Sequence, residues 1–355
     1  MNGMEQAMID TYECAKQIRM NSESNRGSMH STISRLKPRL CSARLPESYF
    51  RHISPILDII PDAAADTFML EYKLEEEQGF PDFSVCFWNE RSVTDILAGQ
   101  DPYVHIPPSL YTHTIWRQLR DFWIHWRNSA NVSHHLANFW LEFDINETIQ
   151  TFPVPLAFIR VNTAQYQEWS TDALQIIMGK TIPNPTKQQL RRLFELLPAG
   201  ARVSQIGSLQ ARCLESLRLY IKIPGHREMA CFLRQMDYPG NLEPVMAFFD
   251  GFANWGGYLK LQLDIGPEIL PKIAVEFLDD TGGGLWKPLI AKLCDKQLCA
   301  GANREFLLNW PDSALVREPG GNRYLHLYKY ISHIKVIYEP KIPLAAKAYL
   351  GVTYS

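Results

Sequence analysis

In the run Leu217-Arg218-Leu219-Tyr220-Ile221-Lys222-Ile223, cationic and phenolic residues alternate with aliphatic ones. Leu259-Lys260-Leu261-Gln262-Leu263-Asp264-Ile265 repeats the pattern. Successive side chains on a strand point to opposite faces, so each run has one polar and one greasy face. Extending the alternation along the chain gathers more polar residues onto one side. These are Glu71 and Lys73; Trp140, Glu142 and Asp144; Phe158, Arg160 and Asn162; Lys272 and Glu276; His333 and Lys335; Lys347, Tyr349 and Thr353. The set holds eight cations (Lys73, Arg160, Arg218, Lys222, Lys260, Lys272, Lys335, Lys347) and five acids (Glu71, Glu142, Asp144, Asp264, Glu276). The whole chain has a net charge of −2, so a cationic surplus on one face is informative. If these residues share a cavity, an anion such as a diphosphate is their natural partner. The carboxylates could move protons. The plainer alternative is that these faces are the solvent sides of open antiparallel sheets.

The residues are positioned by strand pairs separated by helices. Strands are expected at 67–74, 82–89, 138–146, 155–162, 202–209, 216–223, 258–265, 271–278, 332–339 and 345–354. Helices are expected at 46–60, 93–99, 110–128, 171–178, 186–197, 227–236, 242–252, 285–298 and 302–310, with Thr186 as an N-cap. Ile115, Leu119, Phe122, Trp123 and Trp126 form the apolar stripe of the longest. Residues Ser22 to Arg35, rich in Ser and Asn, read as a loop or mobile arm. The fold class is therefore α+β. Repeated ααββ units build a ten-stranded antiparallel barrel with a polar lumen and an outer coat of helices, and closure removes the exposed edges. Residues 1–45 are assigned to an N-terminal arm and helix, and 46–355 to a single barrel domain.

Composition excludes several classes. The chain has 355 residues with 46% hydrophobic and 12% aromatic content, enough for a large core. The near-neutral charge argues against nucleic acid as partner. No apolar run reaches membrane-spanning length. Met1 to Met20 lacks an apolar signal core, and the seven scattered cysteines suit reduced thiols, so a cytoplasmic location is expected. Cys294 and Cys299 lack a nearby ligand pair for a metal. His113, His125, His134 and His135 are read as packing or surface residues. Asp279-Asp280-Thr281 before Gly282-Gly283-Gly284 reads as a loop, because no Lys-Ser/Thr follows as in a phosphate-binding loop. No Gly-x-Ser-x-Gly elbow occurs.

In element order, from about Pro46 to Ser355, the chain resembles the ABBA family of aromatic prenyltransferases, ten-stranded barrels jacketed by helices. Leu70-Glu71-Tyr72-Lys73 matches the first-strand Glu of the indole-prenylating members. Phe143-Asp144-Ile145-Asn146 matches a Phe-Asp-aliphatic run on the third strand. Arg218-Leu219-Tyr220-Ile221-Lys222 and Lys347-Ala348-Tyr349 are similar to the later strands of alternating Arg, Lys and Tyr. Arg160-Val161-Asn162 and Ala274-Val275-Glu276 stand where Lys-x-Tyr is usual.

The resemblance implies transfer of an allylic group from a prenyl diphosphate to an aromatic small molecule or peptide side chain. Arg160, Arg218, Lys222, Lys260, Lys335 and Lys347 would bind the diphosphate, and Tyr220 and Tyr349 would shield the cation. Glu71 would orient the acceptor, with Asp144 and Glu276 as further catalytic groups. No metal is required, because an Asp-Asp-x-x-Asp motif is absent, although magnesium is possible. Two other readings stay open. One is an isomerase, cyclase or tailoring enzyme using Glu276 and Asp264 as acid and base. The other is a barrel that binds a small molecule without turnover.

Overall fold

The alternating runs form strands, and the strands close on themselves. The computed structural model describes residues 28–355 except 43, 77–78, 105, 146–151, 213, 250–258, 280–283 and 318–323. The expectations for residues 1–27, Asn146, Tyr258, Asp280 to Gly283, Cys14 and Cys213, and for the side chain of Asn162, fall outside the described residues.

Eleven strands are present among them: β1 Thr67–Lys73, β2 Asp82–Trp88, β3 Asn138–Phe143, β4 Leu156–Thr163, β5 Arg202–Ser208, β6 Leu217–Ile223, β7 Leu259–Ile265, β8 Ile269–Phe277, β9 Asp312–Arg317, β10 Tyr324–Glu339 and β11 Ile342–Tyr354. β1 to β8 pair in sequence, β8 pairs with β10, β10 with β11, and β11 returns to β1. That ring is the expected ten-stranded antiparallel barrel. β9 was not foreseen. It pairs only with the first half of β10, Tyr324 to Lys329, as a ribbon beyond the ring.

The helices alternate with the strand pairs: α1 Met29–Leu40, α2 Glu47–Ile59, α3 Arg91–Leu97, α4 Thr114–Asn128, α5 Ala130–His135, α6 Glu168–Met178, α7 Asn184–Glu195, α8 His226–Gln235, α9 Glu243–Phe249, α10 Trp286–Asp295 and α11 Gly301–Asn309. The element order gives five ααββ units, with α5 added to the second and β9 to the last.

The Ser/Asn-rich segment corrects one expectation. Its second half is not an arm but the start of α1. Met29, Ile33, Leu36 and Leu40 form a sparse apolar stripe at helical spacing, and all four are buried. A further correction concerns α7, which begins two residues before Thr186, behind Pro183.

The aliphatic strand faces pack outward against the helices. Phe139 on β3 lies against Phe122, Trp123 and Trp126 of α4, with the Phe122 ring stacked on it at 5.1 Å. Leu219, Ile221, Leu261, Leu263, Val275, Leu350 and Val352 join the same core, each at most 2% exposed. Burying such faces removes them from water and leaves the alternate residues inside the ring.

Two departures from plain alternation shape the inner face. Between Ile331 and His333 the β10–β11 register shifts by one residue at Ser332. Tyr330, His333 and Lys335 consequently all face inward, opposite Gly351, Tyr349 and Lys347. A similar shift at Ser204 lets Arg202 and Gln205 share the inner face of β5, and Ser204 Oγ donates to the Tyr220 carbonyl at 3.0 Å.

Candidate active site

Strand register arranges the cations. Arg202 lies opposite Lys222, Lys222 opposite Lys260, Lys260 opposite Glu276, Glu276 opposite Lys335, and Lys335 opposite Lys347. Directly opposed residues on antiparallel neighbours share a face and approach closely. The inner wall therefore carries a continuous row of five cations from β5 to β11, interrupted by one acid.

That acid is the hub of the row. Glu276 Oε2 lies 2.9 Å from Lys260 Nζ, and its Oε1 lies 3.5 Å from His333 Nε2 and 3.8 Å from Lys335 Nζ. Burial alone would raise its carboxyl, but His333, Lys260 and Lys335 overcome this and hold it at about 2. His333 stacks on Tyr349 at 4.0 Å. Burial, with Lys260 and Lys335 adding to it against the pull of Glu276, depresses its ring to about 3, so it is neutral at pH 7.

A cavity of about 190 Å³ occupies one part of the lumen. Among the residues singled out from the sequence, Glu142, Arg160, Tyr220, Lys222, Lys260, Glu276, Asp279, His333 and Tyr349 line it. Trp88, Trp140 and Phe158 form an aromatic arc on β2 to β4. Phe158 lies over Gly207, the one residue type that admits the ring, since a Cβ there would sit 2.0 Å from Phe158 Cδ1. Lys335 lies just behind the tyrosines, donating to Gln262 Oε1 at 3.0 Å and to the Tyr349 hydroxyl. Its ammonium is 4.4 Å from the Tyr349 ring centre and 5.7 Å from that of Tyr220, and Lys260 is 5.5 Å from the latter. Both tyrosine rings are thus already engaged by lysines.

The remaining sequence candidates are held in ion pairs, and of their members Glu142 also lines the cavity. Arg218 donates to Asp264 through Nε at 2.8 Å and Nη2 at 2.9 Å, a buried bidentate pair. Glu71 is paired with Lys347. Against the effect of burial, Lys347 and Lys335 hold Glu71 at about 2. Asp144 lies at the rim, half exposed, bound by Arg212 Nε at 2.9 Å, and Arg212 Nη2 also reaches Glu142 at 3.0 Å. Lys73 and Lys272, expected inside, have exposed side chains. They form exposed pairs with Glu76 at 3.0 Å and Glu339 at 3.2 Å.

Several residues of the site were not singled out from the sequence. Arg202 and Gln205 sit on a strand whose alternation is broken at Ser204. Arg212 comes from a short 3-10 turn, Gln210–Arg212, where no periodic signal exists. Asn138 and Trp88 begin and end strands, and pairing the two strands in register would have placed them opposite each other. Asp82 faces Glu71 across β1 and β2. Among the described residues no group of three or more His, Cys, Asp or Glu could hold a metal ion, and no helix is long and apolar enough to cross a membrane.

No protein-family profile matches the chain, and no curated protein matches its sequence. Solved structures do match its shape. PriB in a binary complex with product diphosphate is 12% identical over 92% of this chain and 96% of that one, with a TM-score of 0.50. The prenyltransferase PriB in its apo form is 12% identical over 91% and 94%, with a TM-score of 0.46. A 5-dimethylallyltryptophan synthase from Streptomyces coelicolor is 14% identical over 92% and 95%, with a TM-score of 0.43. At such identities the first of these establishes a shared fold: the chain has the helix-jacketed barrel that its element order implied.

Proposed function

We propose that the chain transfers an allylic group from a prenyl diphosphate to an aromatic acceptor inside the barrel. The observation that carries this reading is the inner row of cations facing an aromatic-walled cavity. PriB, a solved structure of the same fold, was crystallised with its product diphosphate.

In this reading the diphosphate lies against Lys222 and Lys260, with Lys335 nearby. The allylic C–O bond breaks, and the negative charge left on pyrophosphate meets cations that are already in place. The allylic cation lies against Trp88, Trp140 and Phe158, together with Tyr220 and Tyr349. An aromatic carbon attacks it, forming a C–C bond, and the ring then loses a proton. Glu276, an ionised carboxylate of the cavity wall, takes that proton. An arenium ion is acidic enough to protonate a carboxylate held at about 2. Glu71 and Lys347 act one layer out, fixing Lys335 and Tyr349 through their charges. Arg218 with Asp264, and Arg212 with Asp144 and Glu142, tie neighbouring parts of the wall together. The alternative use of Glu276 and Asp264 as acid and base has less support. Asp264 is consumed by Arg218, and Glu276 carries no proton to give at neutral pH.

The direct test is incubation with dimethylallyl, geranyl and farnesyl diphosphate and a panel of indoles, phenols and aromatic peptides, following pyrophosphate release. Lys222→Ala and Lys260→Ala are each expected to lower kcat/KM by about 10- to 100-fold, the worth of one charged hydrogen bond. Turnover is expected to persist in EDTA, because cations rather than a metal neutralise the leaving group. No release with any donor, or release indifferent to both lysines, would end this reading.

A further inference from the structure

The carboxylate implied to orient the acceptor, Glu71, is tied to Lys347 away from the cavity lining, whereas an amide with an unused donor faces the cavity. Asn138 opens β3 and is 1% exposed. Its register neighbours are Trp88 on β2 and Arg160 on β4, and all three line the cavity. The Trp140 indole N–H donates to Asn138 Oδ1 at 3.1 Å. An indole nitrogen can only donate, so this bond fixes the orientation of the amide: the oxygen serves Trp140 and the NH₂ remains. Asn138 Nδ2 has no partner. Buried donors are almost always paired, so an unpaired one in a cavity wall points to a group supplied by the ligand.

We propose that this group is a carboxylate of the aromatic acceptor, accepting a hydrogen bond from Asn138 Nδ2 beside Arg160, with the acceptor's ring against Trp88, Trp140 and Phe158. The nearby guanidinium favours an anion over a neutral carbonyl. The position favours the acceptor over the diphosphate: Asn138 and Arg160 stand on β3 and β4 in the aromatic arc, while Lys222 and Lys260 stand on β6 and β7. The substrate class is therefore an aromatic carboxylate rather than an uncharged arene. The word acceptor rests on the prenyl-transfer reading; the carboxylate site does not.

The experiment is a fluorescence or calorimetric titration with three probes: indole-3-acetate, 3-methylindole (the same ring without the carboxylate) and inorganic pyrophosphate. The unaltered protein is expected to bind indole-3-acetate about tenfold more tightly than 3-methylindole. Asn138→Asp keeps the oxygen that Trp140 needs, removes the donor and adds a negative charge, and is expected to abolish the preference. Asn138→Leu removes the donor without adding charge; it is expected to abolish the preference as well and to leave pyrophosphate affinity within about twofold. The proposal is overturned by an intact preference in Asn138→Asp. It is overturned equally by a parallel loss for both indoles, the mark of a structural role, or by loss of pyrophosphate binding instead in Asn138→Leu. A preference that disappears in the variants while no prenyl diphosphate is ever turned over would support the carboxylate site and remove the prenyl-transfer reading alone.

Discussion

Asp82 carries a charge that the barrel disfavours. Its carboxyl is pushed up to about 7, first by burial and then by Glu71 directly opposite. The folded chain thus keeps a proton that an unfolded Asp, at 3.8, releases earlier. Folding stability must fall as pH rises from about 4 through about 7 on this group's account. Asp82→Asn keeps the acceptor for the Ile145 N–H, which lies 2.8 Å away, and has no proton to lose. The variant is expected to melt at a higher temperature than its parent at pH 8, with the gain vanishing near pH 4. A gain independent of pH would contradict this sign. Residues of this kind set the limit of sequence reading. Lys222, Lys260, Glu276, Tyr220 and Tyr349 were legible because alternation places them on one face, and they do meet at the cavity. Arg218 and Lys347 were equally legible as inward cations, but nothing in their own strands says that Asp264 and Glu71 engage them. Pairing belongs to the neighbouring strand, and a single strand's pattern does not contain it.

At the scale of elements, two glycines separate shape from stability. Gly207 makes room for Phe158 on the cavity wall, and Gly351 makes room for Tyr330, which does not line the cavity. An alanine at either position meets an aromatic ring, at 2.0 Å and 2.3 Å respectively. Each is expected to destabilise by roughly 1–3 kcal/mol, the usual range for overpacking. Only Gly207→Ala should also weaken binding of an aromatic probe, by about tenfold, since it pushes Phe158 into the lumen. Equal effects of the two variants in a ligand titration would mean that the Phe158 wall is not part of the site. The elements themselves were largely readable, since ten strands and nine helices follow from periodicity. Helix α1 was hidden by a stripe of only four apolar residues in a polar background. β9 was hidden because both of its faces are largely exposed and carry no hydrophobic alternation. The register shifts at Ser204 and Ser332 were invisible because a bulge changes which residues face inward without changing composition.

For the whole molecule, closure is what turns a list of polar residues into a site. The β1–β11 pairing joins residues nearly the full chain apart, Glu71 opposite Tyr349 and Lys73 opposite Lys347. The closed ring holds a cavity near Trp88, Arg160, Lys222 and Lys260, and beside it the ion pairs Arg218–Asp264, Glu71–Lys347 and Arg212 with Glu142 and Asp144. The central claim is that this cavity holds an allylic diphosphate. The measurement that tests it most directly is a crystal structure with dimethylallyl thiolodiphosphate, a slow-ionising analogue. The account requires the diphosphate oxygens within hydrogen-bond distance of Lys222 and Lys260, with the allylic chain against the aromatic arc. An analogue bound outside the barrel, or density absent from the lumen at saturating concentration, would contradict it.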